Sequence, residues 1–338
     1  MSGGSLAAAN TLGVPSRADR LVPVHDASTL RRLVDEARAQ GIPWTVLGGG
    51  SNVVLRRRVP GLVCLMRNRG IAVASGPDGG ARVTAAAGER WHDLVRFTLG
   101  QGLVGLENLA LIPGSVGAAP IQNVGAYGVE LADRFVSLRA LDTASGEVVC
   151  LDRTACRFGY RDSLFKSAEG ARFVVLSVTL ALARAGAPVL DYAELAAEVG
   201  RLGRWRPTAA EVADAVIRVR RRKLPDPRRH PNVGSFFKNP EVAAAQAQAA
   251  CRRHPGLTTR PAPGGRVKLS AAQLIDACGW KGRSSGSVSV WHRQPLVLVN
   301  HGGAAGADVL AMSEDIRHDV DRRFGIRLEL EPRVLGQD

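Results

Sequence analysis

The stretch from Asn108 to Val129 reads NLALIPGSVGAAPIQNVGAYGV, and the rest of the chain is organised around it. It carries no charged side chain, although the whole chain has a formal net charge of +14. Its glycines permit positive φ angles and close approach, and its prolines prevent a regular helix. Ser115, Gln122 and Asn123 add short polar groups to a run of backbone N–H donors, which is how a loop binds a diphosphate without cations. The stretch therefore predicts a cofactor-binding loop, with an ordinary glycine-rich connection as the alternative.

A second glycine-rich stretch lies upstream, where a predicted strand, Trp44–Leu47, leads into GGGSN at 48–52. It is similar to a phosphate-binding loop. The G-x-G-x-x-G fingerprint, however, requires a third glycine at position 53, where the chain has Val53. Residues 53–55 predict another strand, so no helix N-terminus follows as in a Rossmann fold. The two loops together predict a nucleotide-cofactor fold of a different kind.

Length and composition restrict the class of protein. The 338 residues suffice for two or three domains, and 45% hydrophobic with 22% charged residues is typical of a soluble globular protein. The sequence contains no run of about 18 apolar residues, so it predicts no membrane-spanning helix. The first ten residues lack the basic and apolar regions of a signal peptide. We therefore expect a disordered leader and a cytoplasmic protein.

The net charge restricts the classes of binding partner, and the cysteine positions indicate the state of the thiols. The basic residues either form a solvated face or attract polyanionic small molecules such as nucleotides. They form local clusters at 56–58, 220–223 and 228–230. Aromatic residues make up only 5%, too few for the stacking surfaces of a nucleic-acid binder. The five cysteines are scattered without metal-ligand spacing, which predicts reduced thiols and no metal site.

Periodicity and capping residues predict the elements on which these loops are placed. We expect helices at 26–40 and 91–99, a hairpin at 135–141 and 147–151, and a long strand at 173–183. A capping box of Thr208 and Glu211 begins a helix to about 222, and LPDP at 224–227 ends it at a domain boundary. Ser270 caps a predicted helix that ends at Gly279, residues 295–300 predict a short strand, and an apolar stripe from Val309 predicts a helix that ends at Phe324. A final strand at 326–331 is predicted to carry Glu331 on the face away from the core.

Six motifs in a fixed order resemble those of the UDP-N-acetylenolpyruvoylglucosamine reductase family, and the match runs from about residue 10 to 336. The motifs are GGGSN at 48–52, IPGSVG at 112–117 with PIQN at 120–123 and GAYG at 125–128, FGYRDS at 158–163, KLPDP at 223–227, GSFFKNP at 234–240 and LELE at 328–331. Any one of them is weak alone, whereas their joint occurrence in order is highly specific.

The resemblance implies a fold, a reaction and cofactors. The fold would be α+β, of the vanillyl-alcohol-oxidase (PCMH) type, with FAD-binding subdomains at 10–68 (joined by a C-terminal strand, 329–338) and 69–222, and a substrate-binding domain at 223–328. NADPH would reduce non-covalently bound FAD. The flavin would then reduce UDP-N-acetylglucosamine enolpyruvate to UDP-N-acetylmuramate in peptidoglycan precursor synthesis. We expect a monomer that binds neither nucleic acid nor membranes.

The resemblance also implies three catalytic residues. Hydride delivery to an enol ether leaves negative charge over the neighbouring carbon and its carboxylate, and that charge must be stabilised and then protonated. Arg161 suits the enolate because its guanidinium is always charged and binds bidentately. Glu331 would hydrogen-bond the same carboxylate when protonated, or else orient Arg161. Ser235 would donate the proton. Beyond what the resemblance implies, a nearby cation would stabilise the alkoxide that remains, and Lys238 or a residue of another domain would supply it.

The remaining site residues follow from the same resemblance. The implied cofactor contacts are Gly48, Gly49, Gly50, Ser51, Asn52, Pro113, Gly114, Ser115, Gly117, Ile121, Gln122, Asn123 and Gly125. The implied substrate contacts are Tyr160, Tyr192, Lys223, Asn239 and Gln294. Tyr192 matches the tyrosine loop of the family's longer subgroup. The chain departs from that subgroup at Arg260, where a second tyrosine is expected, and a guanidinium is able to stack there instead. Pro332 replaces a small apolar residue.

The sequence is also compatible with other interpretations. Singly, Arg161 with Asp162 reads as an exposed ion pair, Ser235 as a turn residue and Glu331 as a solvated carboxylate. An FAD-dependent oxidase of the same fold often attaches its flavin through a histidine near the first phosphate loop, but residues 48–52 contain none. A basic nucleic-acid-binding protein is the rival from another class, and it would purify without colour.

Overall fold

The computed structural model describes residues 3–76, 79–203 and 206–338. Its helices are Ala27–Ala39 (α1), Trp91–Gly100 (α2), Arg153–Cys156 (α3), Ala193–Gly200 (α4), Ala209–Lys223 (α5), Ala244–Arg253 (α6), Ala271–Ala277 (α7) and Gly306–Phe324 (α8). Its strands are Gly4–Ser5 (β1), Arg17–Val24 (β2), Trp44–Leu47 (β3), Val53–Leu55 (β4), Arg58–Met66 (β5), Ile71–Ser75 (β6), Ala81–Ala86 (β7), Gly125–Ala126 (β8), Val129–Glu130 (β9), Phe135–Asp142 (β10), Glu147–Asp152 (β11), Phe173–Leu182 (β12), Asn232–Ser235 (β13), Glu241–Val242 (β14), Thr259–Ala262 (β15), Arg266–Leu269 (β16), Ser284–Ser285 (β17), Val288–Val290 (β18), Val297–Asn300 (β19) and Arg333–Leu335 (β20).

Capping residues begin the helices where the sequence predicts. The Asp26 side chain accepts a hydrogen bond from the Thr29 N–H at 2.7 Å at the start of α1. At α5, the Thr208 hydroxyl accepts from the Glu211 N–H at 3.2 Å while the Glu211 carboxylate accepts from the Thr208 N–H at 2.8 Å. This is the predicted capping box. In the described part of the chain, none of the helices is both long and apolar enough to cross a membrane.

The chain folds as two units. The first contains residues Arg20–Gly49 and Gly61–Arg222, and the second contains Gly3–Asp19, Gly50–Pro60 and Lys223–Asp338. The later boundary between the units falls directly before Lys223, at the end of α5.

The first unit is built on an antiparallel five-stranded sheet in the order β11-β10-β12-β7-β6. The hairpin of β10 and β11 is in register from Asp142 opposite Glu147, as the turn between the two strands predicts. Beside this sheet, β3 pairs in parallel with β5. Trp91, at the start of α2, is 1% exposed, and its Nε1 donates to the Leu109 carbonyl at 3.0 Å. Helix α2 thus holds the beginning of the central stretch in place.

The second unit has two small sheets and a parallel pair. One sheet has the order β13-β19-β18-β17 and the other β14-β16-β15, while β20 pairs in parallel with β4. The apolar stripe of α8 is buried, as its spacing predicts, and includes Val309, Met312, Ile316 and Val320. Phe236 and Phe237 are also buried, directly after β13.

Two predictions of the sequence analysis are wrong. The first ten residues are not a disordered leader as far as they are described, because β1 pairs with Arg17 and Ala18 and Leu6 is fully buried. Residues 326–331 do not form a strand: only Leu330 makes an isolated bridge, to Phe237, and the last strand is β20. The alternating burial of residues 326–329 is nevertheless as predicted.

Candidate active site

The central stretch forms short turns rather than a helix. Three 3-10 turns, Glu107–Leu109, Val116–Ala118 and Pro120–Gln122, precede the small hairpin of β8 and β9. Backbone φ angles are positive at Gly114 (+122°) and Gly128 (+86°), but also at Leu111 (+58°), Asn123 (+44°) and Tyr127 (+50°). Side-chain-bearing residues with positive φ are costly, and such strain concentrates at functional sites.

Neighbouring side chains hold this strained backbone. The Nδ1 atom of His92 accepts the Leu111 N–H at 2.9 Å, and burial lowers the pKa of His92, so that its ring stays a neutral acceptor. The Nδ2 atom of Asn108 donates to the carbonyls of Tyr127 at 2.7 Å and Val189 at 2.9 Å. These contacts were not predicted from the sequence, since nothing local marks His92 or Asn108 as an anchor.

Glycines allow the two glycine-rich loops to meet within the first unit. A Cβ atom placed on Gly48 would lie 2.2 Å from the Ser115 Oγ, and one on Gly49 would lie 3.1 Å from the Gly114 Cα. At Gly117 a Cβ atom would lie 2.5 Å from the Ala87 Cβ. The two loops thus lie against each other, with the backbones of Gly48 and Gly49 next to Gly114 and Ser115 of the central stretch.

This meeting point fits a diphosphate. The described part of the chain offers no hydrogen-bond acceptor to the backbone N–H groups of Gly48, Gly49, Gly114 and Ser115. Adjacent N–H donors without acceptors form an anion-binding concavity. The donors suit the diphosphate of FAD, and they demand no cation, in agreement with the uncharged stretch.

The rest of the first glycine loop belongs to the second unit. The Gly50 carbonyl accepts from the Thr11 N–H at 3.0 Å, and a Cβ atom on Gly50 would lie 1.9 Å from the Ala9 carbonyl oxygen. Asn52 donates from its Nδ2 to the Glu331 carbonyl at 3.3 Å, and its own carbonyl accepts from Arg333. Ser51 lies between them in the same loop.

Asn123 holds the central stretch together through its side chain. Its Nδ2 donates to the Glu130 carboxylate at 2.6 Å and to the Gly159 carbonyl at 3.1 Å, and its Oδ1 accepts from the Ala132 N–H at 3.0 Å. The side chain is thus engaged within the protein. Among its neighbours, Ile121 is 38% exposed, and its carbonyl accepts from the Ser163 hydroxyl at 2.7 Å.

Arg161 is anchored to the central stretch. Its φ is +53°, inside a turn closed by reciprocal backbone hydrogen bonds between Gly159 and Asp162. Its Nη2 donates to the Gly125 carbonyl at 2.7 Å and its Nη1 to the Asn123 carbonyl at 3.5 Å. Its Cζ lies 5.4 Å from the centroid of the Tyr160 ring. The guanidinium is therefore fixed in orientation rather than extended into solvent.

Ser235 and Glu331 are brought together in the second unit. Ser235 ends β13, opposite Val297 of β19, after Gly234 at φ +73°. The next residue, Phe236, accepts the Glu331 N–H on its carbonyl at 2.9 Å. Both side chains are partly exposed. The structure thus joins two predicted catalytic residues that are far apart in sequence, while Arg161 belongs to the first unit.

Lys238 is directed to a different carboxylate. Its Nζ lies 2.9 Å from the Glu329 Oε2, and its backbone N–H donates to the Glu329 carbonyl at 3.0 Å. This ion pair gives the charge of Lys238 a partner of its own. Nothing in these contacts supports Lys238 as the cation beside Ser235.

The predicted substrate residues fall into two groups. Tyr192, which precedes α4, packs edge-on against Tyr127 with ring centroids 5.8 Å apart, and Tyr160 adjoins Arg161 in the same unit. In the second unit the Lys223 carbonyl accepts from the Trp291 Nε1 at 2.9 Å, and Gln294 lies in the turn that follows Trp291.

Two further predicted positions lie in the second unit. The Oδ1 atom of Asn239 accepts the Ala271 N–H at 3.0 Å at the start of α7. Arg260 is exposed on β15, opposite Lys268. Pro332, beside Glu331, is buried.

One buried carboxylate, which lies outside the predicted site and binds three arginines, supports α4. Glu198 is 6% exposed, and its oxygens accept from Arg218 at 2.8 Å, Arg201 at 2.9 Å and Arg222 at 3.1 Å. Hydrogen bonds from Arg218 and Arg222 lower the pKa of Glu198. These contacts fix the helix that follows Tyr192 against α5. The spacing of Arg218 and Arg222 on one helix face was the available sequence signal.

Comparisons with known proteins identify the class and then the family. An FAD-binding domain model matches residues 18–152, which include Gly48–Asn52 and the central stretch, and so the chain is a flavoprotein with the predicted α+β FAD-binding fold. The model of the C-terminal domain of UDP-N-acetylenolpyruvoylglucosamine reductase matches residues 226–335.

Curated relatives cover nearly the whole chain. The chain is 52% identical to the UDP-N-acetylenolpyruvoylglucosamine reductase of Paraburkholderia phytofirmans over 99% of its own length and 97% of the relative's. It is 53% identical to that of Azoarcus sp. over 96% and 94%. The crystal structure of the Thermus caldophilus reductase is 26% identical with a TM-score of 0.67, covering 99% of this chain and all of that one.

The chain belongs to the UDP-N-acetylenolpyruvoylglucosamine reductase family. It is an FAD-dependent oxidoreductase of peptidoglycan precursor synthesis, with NADPH as co-substrate. The predictions of fold class, cofactors and reaction are thereby confirmed.

Proposed function

We propose that Ser235, Arg161 and Glu331 carry the reduction of UDP-N-acetylglucosamine enolpyruvate to UDP-N-acetylmuramate. The single observation that supports this most strongly is the hydrogen bond from the Glu331 N–H to the Phe236 carbonyl, directly after Ser235. This hydrogen bond keeps the GSFFKNP motif, which contains Ser235, next to the LELE motif, which contains Glu331. A third group, Asn52 of the first glycine loop, holds the Glu331 carbonyl.

The reaction sets the demands on the protein groups. When bound, FAD supplies the hydride to the terminal carbon of the enol ether. The negative charge that develops on the neighbouring carbon and its carboxylate requires preorganised positive charge, because oriented groups stabilise it without reorganisation. A positioned acid must then protonate the carbon.

Arg161 meets the first demand. A guanidinium has five N–H donors and stays charged at any physiological pH. Two of these donors are directed to the Gly125 and Asn123 carbonyls, which sets the plane of the group. In our proposal the outer edge of that plane binds the substrate carboxylate. Tyr160 beneath the guanidinium supports it.

Ser235 meets the second demand, and Glu331 contributes to the first beside it. A hydroxyl is a weak acid, but the carbon of an enolate is basic enough to accept its proton. Gly234, at φ +73°, turns the chain so that Ser235 ends β13 at a corner. Glu331, held through both its N–H and its carbonyl, hydrogen-bonds the substrate carboxylate beside it.

The other predicted roles complete the proposal. We assign FAD contacts to the glycine loops and the central stretch, and substrate contacts to Tyr160, Tyr192, Lys223, Asn239 and Gln294. Tyr192 against Tyr127 supports membership of the longer tyrosine-loop subgroup. We further propose a cytoplasmic monomer with three functional parts, 10–68 with 329–338, 69–222 and 223–328.

Ser235→Ala tests the assignment through the two half-reactions. NADPH should still bleach the flavin, whereas reoxidation by the enolpyruvyl substrate should slow at least ~10²-fold, the usual effect of losing a general acid. Stopped-flow absorbance measures both steps. Ser285→Ala, on the exposed strand β17 of the same unit, is the matched control and should behave as the unmodified protein. Equal slowing of both half-reactions would show that Ser235 has another role.

A further inference from the structure

Asn108 joins the central stretch to the segment that carries Tyr192. It is the first residue of the central stretch, and it is only 1% exposed. The two hydrogen bonds that its Nδ2 donates go to different parts of the chain, one to the Tyr127 carbonyl at 2.7 Å and one to the Val189 carbonyl at 2.9 Å. One amide group therefore connects the end of the central stretch to a second, distant segment.

That second segment, residues 184–192, depends strongly on this contact. We call it the tyrosine segment; it links β12 to α4, contains no helix or strand, and is exposed at 184–187. Among the residues that the structure describes, the backbone of 185–191 takes part in one hydrogen bond, the bond from Asn108 to Val189. A segment with so few backbone hydrogen bonds is held in place by individual contacts, so the loss of this one should loosen it.

Packing places the tyrosine segment against the end of the central stretch. The rings of Tyr192 and Tyr127 are in edge contact, with centroids 5.8 Å apart. A Cβ atom on Gly128 would lie 3.1 Å from the Val189 Cγ1 and 3.6 Å from the Asp191 Oδ2. The hydrogen bonds of the connecting amide and these packing contacts therefore act at the same place, within the first unit.

The polar atoms of Asn108 indicate that its donors are the reason for an amide here. Its Nδ2 donates twice, whereas its buried Oδ1 has no hydrogen-bond partner among the described residues. A buried acceptor without a partner lowers stability, so a leucine of similar size would suit this position better if only volume counted. The amide is explained by the two carbonyls that it holds.

We propose that Asn108 is a positioning residue, which holds the tyrosine segment against the central stretch and so places Tyr192 for the sugar nucleotide. The proposal rests on the proposed function, in which Tyr192 contacts the substrate. A segment that is already in place loses less conformational freedom when the substrate binds. Such an effect lowers the KM and leaves the chemical step unchanged.

Asn108→Leu removes both donors at nearly constant volume. The KM for UDP-N-acetylglucosamine enolpyruvate should rise about 10-fold, while kcat stays within about twofold, because substrate binding is weakened and the reacting groups are not touched. Asn300→Leu is the matched control. Asn300, in the second unit, is also 1% exposed, and its Nδ2 donates to the Leu12 carbonyl at 3.0 Å. Its replacement should leave the KM unchanged even where the melting temperature falls.

Two further measurements separate positioning from general stability. In a double-mutant cycle, Asn108→Leu should raise the KM little when it is added to Tyr192→Ala, because a residue that acts through Tyr192 has no effect without it. Trypsin cleavage after the exposed Arg184 reports on the tyrosine segment without any substrate, and it should be several-fold faster in Asn108→Leu than in Asn300→Leu. Asn108→Ser, which keeps one donor, should show smaller changes in the same direction and replaces the leucine variant if that variant does not fold.

An unchanged KM or an unchanged cleavage rate in Asn108→Leu would overturn the proposal. So would a fall in kcat as large as the rise in KM, additive effects in the cycle, or an equal rise in KM for Asn300→Leu. Turnover by the unmodified protein tests the proposed function separately. Its failure to reduce the enolpyruvyl substrate would count against the proposed function, and cleavage after Arg184 would still show whether Asn108 holds the segment.

Discussion

The backbone conformation and side-chain orientation of Arg161 depend on residues that are distant in sequence. The FGYRDS motif predicts which side chain acts, but its left-handed backbone, φ +53°, depends on the turn between Gly159 and Asp162 and on two carbonyls of the central stretch. The same holds for Leu111, whose positive φ depends on the ring nitrogen of His92. Tertiary partners of this kind leave no local trace in the sequence.

Arg161→Lys should leave flavin reduction by NADPH intact and slow its reoxidation by the enolpyruvyl substrate by about 10² or more. The charge remains, but one ammonium is unable to hold the loop carbonyls and fork onto a carboxylate as well. Rapid-mixing absorbance of each half-reaction measures this. Arg157→Lys is a suitable control, since Arg157 also has a positive φ but is exposed and bound to Glu169. Normal turnover in Arg161→Lys would remove this residue from the site.

At the scale of elements, the hydrophobic pattern determines which side chains are buried, whereas a neighbouring strand determines whether a segment forms a strand. Alternation correctly predicts the burial of Ile326 and Leu328, but a strand also needs a neighbour along its edge, and only the Phe237–Leu330 bridge is present. Helices whose stripes and caps are local, such as α1 and α8, were predicted well. The path of the central stretch was predicted only as irregular, because close packing at Gly117 and distant anchors define it.

Gly117→Ala tests whether close approach shapes the cofactor loop. The added methyl would lie 2.5 Å from the Ala87 Cβ, so the loop must shift, at a cost of about 1–3 kcal/mol in unfolding free energy. FAD affinity of the apoprotein should fall with it, measured by fluorescence quenching and urea unfolding. Gly100→Ala, at the end of α2 with no atom near its added methyl, should leave both unchanged or slightly improved. Undiminished affinity and stability in Gly117→Ala would contradict the packing argument.

At the scale of the whole molecule, the order of motifs predicted the family where no single residue did. The proposed catalytic groups are divided between the units, Arg161 in the first and Ser235 with Glu331 in the second. Periodicity alone gave no indication that residues 3–19 belong with the C-terminal half, because that association depends on contacts such as Thr11 with Asn232. Family membership supports the flavoenzyme interpretation of the chain.

Anaerobic titration of the purified holoprotein tests the central claim most directly. NADPH is added first and UDP-N-acetylglucosamine enolpyruvate second, while the flavin absorbance is followed, and a parallel sample receives oxygen in place of the sugar nucleotide. We expect an equimolar amount of NADPH to bleach the flavin, and an equimolar amount of the enolpyruvyl substrate to restore its colour within turnover time. A colourless protein, or a bleached flavin that oxygen reoxidises and the sugar nucleotide does not, would contradict the account.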